Sequence, residues 1–406
     1  MDDMRDRIVA AAKRHKNECA EFLRELIAIP SESQHEEEVA AYVRREMIKL
    51  GYDSAEVDRF GNVIGTIGTG DTHLLFDAHM DTTGIGDRST WRFDPYRGEL
   101  KAGKVYGHGA TNNKGGLAAV VYAGGIIAEL DLANQCTVHV VASIQAEECE
   151  GLAYKSLFDV EKLRPHYVVL TMPTGMRLCR GHRGRVEIEV MIRGQVAHAS
   201  DVTKGSNAIY AMSRIILGVQ KLNETLPSDP FLGKATVAVT HIECDNNGPN
   251  SLPETCRIII DRRLVPGENV KKALQQIRDL TKGTKAKVEV IEFDKPSYKG
   301  LRFPMQKQFP TWTLEENHPL IESVENAYRS IMKKKPPIDR WTMSTAGTYT
   351  MGIAGVPTVG LGPSEESYSG PINDHVRIDD LEKCMAIYAS IPGSLPEADG
   401  RIASKR

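Results

Sequence analysis

The sequence predicts an α/β protein in which helices cover both faces of a sheet, with a smaller α+β domain inserted into it. Over about the first 175 residues, helices alternate with short apolar strands, which is typical of a buried parallel sheet. From about residue 180 the strands alternate apolar and polar side chains, as half-exposed antiparallel strands do. The first pattern returns near residue 296. A length of 406 residues also favours two domains, one formed by residues 1–178 and 296–406 and the other by residues 179–295.

The first segment begins with two predicted helices and continues with strands around a third helix. Residues 3–28 and 36–50 have apolar side chains at helical spacing, and Gly51 ends the second helix. The apolar runs GNVIGTIG, THLLFDAH, CTVHVVASIQ and HYVVLTM predict strands, and residues 114–130, rich in Ala and Gly, predict a packed helix. Because THLLFDAH ends in charged residues, we expect it to deliver them to the carboxyl edge of the sheet.

The inserted and final segments are predicted from the same two periodicities. RGRVEIEVMIRG, KATVAVTHIEC, CRIIIDRRL and KAKVEVIEF predict the strands of the insert, and residues 207–222 and 270–281 predict its helices. In the final segment, residues 319–332 and 381–391 predict helices, and PTVGLG predicts a strand. This order of strands and helices favours a small α+β layer inserted into the larger domain.

Composition excludes several classes of protein. A formal net charge of -3 gives no electrostatic basis for binding nucleic acid or an anionic membrane. No apolar run approaches the roughly 20 residues of a membrane-spanning helix, and the N-terminus lacks the apolar core of a signal peptide. The seven cysteines include no CxxC pair, which favours reduced thiols. We therefore expect a cytoplasmic protein whose partner is a small molecule.

Several segments, in order, carry a resemblance to one family. They are FDAHMDT, WRFDPYRGELKAGKVYGHGATNNKGG, AHAS followed by NAI, and NSLPETCRIIIDRRL. Together they resemble the acetylornithine deacetylase, succinyl-diaminopimelate desuccinylase and carboxypeptidase G family of metallopeptidases and deacylases. The resemblance runs from about residue 15 to 395. Within that family, the chain is most similar to the subgroup of selenium-metabolism-linked hydrolases, with which it shares FPTW.

The resemblance implies a zinc-peptidase-like catalytic domain with an inserted lid and dimerisation domain. In the family, two zinc ions share an aspartate and a water molecule. One ion also takes the histidine of an H-x-D strand end and an acid from an E-P-T turn. The other takes the second glutamate of D-E-E and a histidine near the C-terminus. The first glutamate of D-E-E is the general base that acts on the water molecule.

This chain replaces several of those groups. His79 stands at the H-x-D histidine, and Asp81 stands where the family's aspartate orients that histidine. The bridging position is Asn112, whose neutral carboxamide offers one good acceptor oxygen instead of two anionic ones. Met172 replaces the acid of the E-P-T turn, and a thioether suits soft ions such as Cu(I) better than zinc. The C-terminal histidine position aligns with Gly370.

The acidic motif permits two alignments. In the first, Glu147 is the general base and Glu148 is the metal ligand. In the second, Gln145 and Ala146 replace the aspartate and the base, and Glu147 is the ligand; this alignment needs no gap against the subgroup and is favoured. Either way each ion keeps about one recognisable ligand, so we expect no metal cofactor, with zinc only if other residues rebuild the site. The histidines that could do so are His108, His182 and His375.

Residues that contact the substrate in the family are kept in the insert. His198 resembles the histidine that reaches across a dimer to stabilise a tetrahedral oxyanion. Asn250 and Arg263 resemble the groups that bind the polar end of the substrate, and a guanidinium group suits a carboxylate. Asn112 is a further predicted substrate contact. The resemblance therefore implies a small carboxylated substrate and a homodimer formed through the insert.

Three functions are compatible with these residues. The first is an amidohydrolase or deacylase that cleaves a C–N bond of a small carboxylated amino-acid derivative with a degenerate metal site. The second is a metal-independent acid–base enzyme, namely a lyase, an isomerase or an acyl transferase. The third is a noncatalytic binding or partner subunit. Because metal ligands are lost while substrate residues are kept, we expect an enzyme of hydrolase ancestry with a metal-independent mechanism. Its predicted catalytic residues are His79, Asp81, Glu147 and Glu148.

Overall fold

The structure is a computed structural model that describes residues 2–245, 248–370 and 372–396. These residues form two compact units. The smaller unit takes in the described part of His182–Phe293 together with Pro304–Trp312, and the other described residues form the larger unit. The predicted boundaries at residues 178 and 295 are thus close, but the assignment of 304–312 to the larger domain is wrong. Those residues return to the smaller unit because Gln308 and Phe309 pair with one of its strands.

Seven of the described α-helices begin and end near the predicted positions, whereas two short ones, Leu152–Asp159 and Gly347–Thr350, were not predicted. Three of the helices have a side-chain N-cap. The Asn207, Asn269 and His318 side chains accept hydrogen bonds from main-chain N–H groups of the first turns that they precede. In chain order the helices are α1 Asp2–Ala28, α2 Glu37–Lys49, α3 Gly115–Glu129, α4 Leu152–Asp159, α5 Ala208–Thr225, α6 Val270–Leu280, α7 Pro319–Met332, α8 Gly347–Thr350 and α9 Ile378–Ser390.

The strands of the described residues fall into two main sheets and three small ones. In chain order they are β1 Ser54–Val57, β2 Val63–Ile67, β3 Thr72–His79, β4 Glu99–Lys101, β5 Lys104–Tyr106, β6 Cys136–Ser143, β7 Tyr167–Leu170, β8 Leu178–His182, β9 Gly184–Arg193, β10 Ser228–Asp229, β11 Gly233–Lys234, β12 Thr236–Asp245, β13 Thr255–Leu264, β14 Lys287–Val290, β15 Glu292–Phe293, β16 Met305–Gln306, β17 Gln308–Phe309, β18 Trp312–Thr313, β19 Ile338–Trp341, β20 Thr358–Gly360 and β21 His375–Arg377.

The largest sheet is mixed, with β3 near its centre. Its order is β1-β2-β6-β3-β7-β20-β8-β18, and β19 also pairs with β8. β3 runs parallel to β6 and β7, and β20 runs parallel to β7, whereas β1 and β2 are antiparallel to their neighbours. His79 at the end of β3 is paired with Ser143 at the end of β6. The residues that follow these strands therefore emerge at one edge of the sheet.

Helices cover both faces of this sheet. The helices α1, α3, α7 and α9 contact one another, and α4 contacts α8. The helix α3 is buried from Gly115 to Ile127, because its Ala and Gly residues allow close packing. At Gly116 a Cβ atom would lie 2.3 Å from Asn113 Oδ1 and 2.4 Å from the Thr171 main-chain oxygen, so the chain requires glycine there.

The smaller unit packs two helices against one face of an antiparallel sheet. The sheet has the order β12-β13-β9-β14, with β17 also paired to β9. Along β13 every second side chain is buried, as the alternating sequence predicts. The buried residues pack with the apolar sides of α5 and α6 in one hydrophobic core. The strand β12 lies at the edge of this sheet, and its residues from Thr240 to Glu243 are exposed.

Candidate active site at the carboxyl edge of the larger sheet

Three segments bring polar side chains together at the carboxyl edge of the largest sheet. His79 ends β3, and Asp81 follows two residues later. Glu147 lies in the turn after β6. Asn112 lies in the turn before α3, which begins at Gly115. The structure thus joins residues that are far apart in the sequence but that the predicted sheet places at one edge.

The turn that carries Asn112 is held by Asp374. The Asp374 carboxylate accepts hydrogen bonds from the main-chain N–H groups of Gly109 and Thr111, both at 2.8 Å. Gly109 has φ 79°, a left-handed conformation that favours glycine. Behind the turn, Lys114 Nζ donates hydrogen bonds to two main-chain oxygens near the end of α1, those of Leu26 at 2.7 Å and Ile29 at 2.9 Å. Asn112 is therefore positioned from two sides.

Asn112 forms the centre of a hydrogen-bond chain. Its Nδ2 donates to Glu147 Oε1 at 2.7 Å, and its Oδ1 lies 3.1 Å from His79 Nε2. An ionised carboxylate only accepts hydrogen bonds, so Glu147 fixes which end of the carboxamide faces it. The Asn112 oxygen must then face His79, and His79 Nε2 must carry the hydrogen between them. The chain runs from imidazole through amide to carboxylate.

The second nitrogen of His79 also faces acceptors. Nδ1 lies 3.0 Å from the Asp81 main-chain oxygen and 3.5 Å from Asp81 Oδ1. Acceptors at both nitrogens favour the imidazolium form of the ring. Burial by itself lowers the pKa of His79, but the hydrogen bond and charge of Asp81, with the charge of Glu147, raise it from 6.5 to about 10. His79 thus supplies a fixed positive charge.

Asp81 organises the turn after β6 as well as the histidine. The Ser33 hydroxyl donates to its Oδ2 at 2.6 Å, and the main-chain N–H groups of Ala146 and Glu147 donate to the two carboxylate oxygens at 3.1 and 3.0 Å. Burial opposes ionisation, but His79 and these donors hold the pKa of Asp81 below its usual value. Asp81 therefore faces the His79 ring and also holds the main chain at Ala146 and Glu147.

Sequence reasoning missed Glu36, which is buried beside this network. Its Oε1 accepts a hydrogen bond from the main-chain N–H of Gln145 at 3.1 Å. Burial, followed by the negative charge of Asp81, raises the pKa of Glu36 to about 8. The acidic run SESQHEEE before α2 could have drawn attention to Glu36, but such a run is also typical of an ordinary helix N-terminus.

The two glutamates of the acidic motif are separated by the structure. Glu147 faces Asn112, whereas Glu148 is partly exposed and lies 3.4 Å from Lys295 Nζ. The prediction that Glu148 joins the catalytic group is therefore not supported by its contacts. The contact of Glu147 with Asn112 is compatible with both alignments, because Glu147 is the general base in one and the metal ligand in the other.

The groups at this edge do not fit a pair of zinc ions. The Asn112 carboxamide directs its nitrogen, which cannot bind zinc, at Glu147, and its neutral oxygen faces His79 where a bridging carboxylate would offer two anionic oxygens. Met172 is buried and offers only a thioether, and Gly370 has no side chain. Across residues 2–245, 248–370 and 372–396, no three His, Cys, Asp or Glu side chains are arranged to hold a metal ion.

The histidines considered for a rebuilt metal site have other contacts. His108 Nε2 lies 2.7 Å from the Thr83 main-chain oxygen, and His375 Nδ1 lies 2.6 Å from that of Asn373. His182 belongs to the smaller unit, where its Nδ1 lies 2.8 Å from the main-chain oxygen of the next residue. Each ring has one nitrogen directed at a main-chain acceptor, as structural histidines commonly have.

The predicted substrate residues of the insert lie in the smaller unit. His198 and Asn250 are exposed, and their segments are paired through a hydrogen bond from Ala199 N to the Asn250 main-chain oxygen at 2.8 Å. Arg263 is half-buried, and its Nε and Nη2 donate to the two carboxylate oxygens of Asp261 at 2.7 and 3.0 Å. The guanidinium fork of Arg263 is thus already paired within its own strand.

Comparison with known proteins agrees with this fold. The profile of peptidase family M20/M25/M40 matches residues 75–393. The uncharacterized protein YgeY of Escherichia coli (strain K12) is 39% identical over 387 residues, which are 95% of this chain and 96% of YgeY. Acetylornithine deacetylase of Vibrio campbellii is 26% identical over 273 residues, 65% of this chain and 68% of that enzyme.

A solved structure shares the fold at low sequence identity. It is that of the dipeptidase Dug1p from Saccharomyces cerevisiae, which superimposes with a TM-score of 0.76 at 13% identity and covers 98% of this chain and 100% of Dug1p. The family profile spans most of the chain, and YgeY is similar over nearly its full length. The chain therefore belongs to peptidase family M20/M25/M40.

Proposed function

We propose that this chain is an amidohydrolase-family enzyme that acts on a C–N bond of a small carboxylated amino-acid derivative without the paired zinc ions that the family resemblance implies. The observation that carries the proposal is the Asn112 carboxamide, which lies between His79 and Glu147 and hydrogen-bonds to both. Family membership supports hydrolysis of an amide or peptide bond. The hydrogen bonds that join His79, Asn112 and Glu147 support a mechanism that uses the protein's own side chains.

The exposure of these residues divides their roles. The His79 side chain is only 3% exposed, whereas Asn112 and Glu147 are half-buried and reach the surface of the edge. Substrate would therefore contact Asn112 and Glu147. The bond to Glu147 uses one N–H of the Asn112 amide, and the second N–H can donate to a substrate oxygen. The imidazolium charge behind Asn112 would stabilise negative charge that develops on that oxygen.

Glu147 is the group proposed to move a proton. Within the hydrogen-bond chain, Glu147 supplies the carboxylate, and its side chain is only half-buried. The Asp81 carboxylate holds the main chain of Glu147 by accepting a hydrogen bond from its N–H group at 3.0 Å. A positioned carboxylate of this kind can accept a proton from an attacking water molecule and return it to the leaving nitrogen. Asp81 and His79 would act through Glu147 and Asn112, as positioning and charge-bearing groups.

A carboxylated substrate is supported by the charges around Arg263. Asp261 is paired with both Arg185 and Arg263, and Glu187 is paired with both Arg185 and Lys307. Within this network, Arg263 Nη1 has no hydrogen-bond partner among the described residues. A substrate carboxylate could share the guanidinium group that Asp261 now occupies.

A metal-independent reaction other than hydrolysis is the second candidate. The favoured alignment places Ala146 at the position of the family's general base, so the chain lacks a carboxylate there. A single carboxylate and an imidazolium could instead support elimination, isomerisation or acyl transfer on a related substrate. Product analysis separates the cases, because only hydrolysis releases a free carboxylate and a free amine from an N-acyl substrate.

Glu147→Gln is the variant that tests the proposed chemistry. On a panel of N-acyl amino acids and dipeptides, we expect the variant to lose at least about 100-fold in kcat, because general acid–base catalysis is worth that much. Glu148→Gln is the matched control and should stay within a few-fold, since Glu148 faces Lys295. Equal losses in both variants, or turnover that depends on added zinc, would count against the proposal.

We also propose a cytoplasmic homodimer formed through the smaller unit. The seven cysteines are free thiols, which supports a reducing compartment. Apolar side chains are exposed along α5, with Tyr210 at 68% and Leu217 at 57%, and Ile242 on the edge strand β12 is exposed at 52%. An apolar helix face beside an unpaired strand edge is a surface that a second copy could cover.

No helix in the described part of the chain is long and apolar enough to cross a lipid bilayer.

A further inference from the structure

Two cysteines of the smaller unit are placed directly opposite each other. Cys244 lies near the end of β12 and Cys256 near the start of β13, and the two residues are partners in the antiparallel register. Their Sγ atoms are 2.9 Å apart. Neither residue belongs to the hydrogen-bond chain of the candidate active site. Their spacing matches no familiar thiol motif, so their pairing could not be predicted from the sequence.

The strand geometry suits a covalent bond between them. Opposed residues in an antiparallel pair have Cα atoms about 4.5–5.5 Å apart, within the range of about 4.4–6.8 Å found for disulfides. The two sulfur atoms already face each other, so the main chain does not have to move for a bond of about 2.05 Å to form. If the two cysteines served only to fill space in the core, their Sγ atoms would not need to face each other at 2.9 Å.

We propose that Cys244 and Cys256 form a reversible disulfide when the protein meets a low-molecular-weight disulfide such as oxidised glutathione. Cys244 is partly exposed and attacks one sulfur of the oxidant, which gives a mixed disulfide and releases one thiol. Cys256 then attacks Cys244 Sγ and releases the second thiol. The two cysteines lose two electrons and two protons, and the oxidant gains them. Glutathione in the reduced form reverses both steps.

The order of the two attacks follows from burial. Burial, with a smaller contribution from Cys244, raises the pKa of Cys256 to about 12. Cys256 is therefore a poorer nucleophile than an ordinary thiol, and the more exposed Cys244 makes the first attack. A small oxidant can reach Cys244 without the core of the unit opening.

The bond would restrain the segment that carries Asn250. Residues 248–254 lie between the two cysteines in the sequence, and they are attached to the His198 segment by hydrogen bonds from Ala199 N to Asn250 O at 2.8 Å and from Leu252 N to Ala197 O at 2.9 Å. A disulfide between Cys244 and Cys256 would reduce the conformational freedom of residues 248–254, so that they separate less readily from the His198 segment. This effect on the segment does not depend on the proposed function.

The test uses the whole chain under defined redox conditions. Wild-type protein, Cys244→Ser and the control Cys136→Ser are incubated with oxidised glutathione, remaining thiols are alkylated, and the peptides are identified by mass spectrometry. We expect wild type and Cys136→Ser to lose two hydrogen atoms each and to yield a peptide pair that links Cys244 to Cys256. Cys244→Ser should yield no linked pair.

Hydrogen exchange supplies the second measurement. In wild type, peptides within residues 248–254 should exchange more slowly after oxidation and return to their original rate after reduction, whereas Cys256→Ser should show no redox dependence. The proposal is overturned if both cysteines of wild type remain alkylatable after oxidation, if the linked peptides come from two different chains, or if exchange in this segment ignores the redox state.

Discussion

At the scale of single residues, the account depends on the charge of His79. Hydrogen bonds at both nitrogens hold the ring as a cation and raise its pKa from 6.5 to about 10. A raised folded-state pKa contributes stability that is complete below pH 6.5 and is lost as the pH rises through about 10. This contribution should therefore decline on the alkaline side of neutrality.

Nitrogen-15 NMR of the histidine rings measures this charge directly. We expect both His79 nitrogens to have the shifts of protonated imidazolium at pH 8, because the two acceptors persist at that pH. His139 provides an internal reference in the same spectrum, since burial and the charge of His73 lower its pKa to about 4. A His79 ring that loses a proton near pH 6.5, as an ordinary histidine does, would contradict the assigned hydrogen-bond directions.

The replacement of metal ligands could be recognised in the sequence, but the contacts that the new side chains make could not be predicted from it. The exchanges at Asn112 and Met172 are visible in recognisable motifs. The bridge that Asn112 makes between His79 and Glu147 depends on how two strand ends and a turn meet in space. The sequence left two alignments of the acidic motif open, and the contacts of the two glutamates come from the structure: Glu147 faces Asn112, and Glu148 faces Lys295.

At the scale of elements, α3 fixes the site because it packs against the sheet edge through Gly116. We expect Gly116→Ala to destabilise the protein by about 2 kcal/mol, since a Cβ would meet Asn113 Oδ1 and the Thr171 main chain within 2.4 Å. Gly125→Ala in the same helix is the control. Its nearest neighbour is the Leu50 Cβ at 3.1 Å, on a side chain that can adjust, while alanine favours the helix. Urea unfolding of both variants measures the difference, and equal stabilities would contradict this packing.

The long elements were predictable from periodicity, and the short ones were not. Helices such as α1 and α7 and buried strands such as β3 begin and end within a few residues of their predicted positions. The small sheet β21-β5-β4 consists of strands of three residues, which are too short to show a period. That sheet nevertheless brings Asp374 to the turn of Asn112. Likewise, the two residues of β17 show no pattern, so the return of 304–312 to the smaller unit was missed.

At the scale of the whole molecule, the exposed apolar face of α5 predicts a dimer. We expect Leu217→Glu to convert a wild-type dimer to monomer in light scattering after size exclusion, because a buried unpaired carboxylate opposes association. Ile48→Glu is the control, as Ile48 is similarly exposed at 52% but lies on α2 of the larger unit. A wild-type protein that is monomeric at micromolar concentration, or a dimer unaffected by Leu217→Glu, would contradict the proposed surface.

We propose that the hydrogen-bond chain of His79, Asn112 and Glu147 takes the place of the two zinc ions at the edge of the larger sheet. The most direct test is the zinc content of the purified chain after equilibration with zinc and removal of unbound ions, measured by elemental mass spectrometry. Because Met172 and Gly370 replace zinc ligands and the Asn112 amide nitrogen faces Glu147, we predict far less than one zinc ion per chain. A content of about two zinc ions per chain, lost together with activity on chelation, would contradict it.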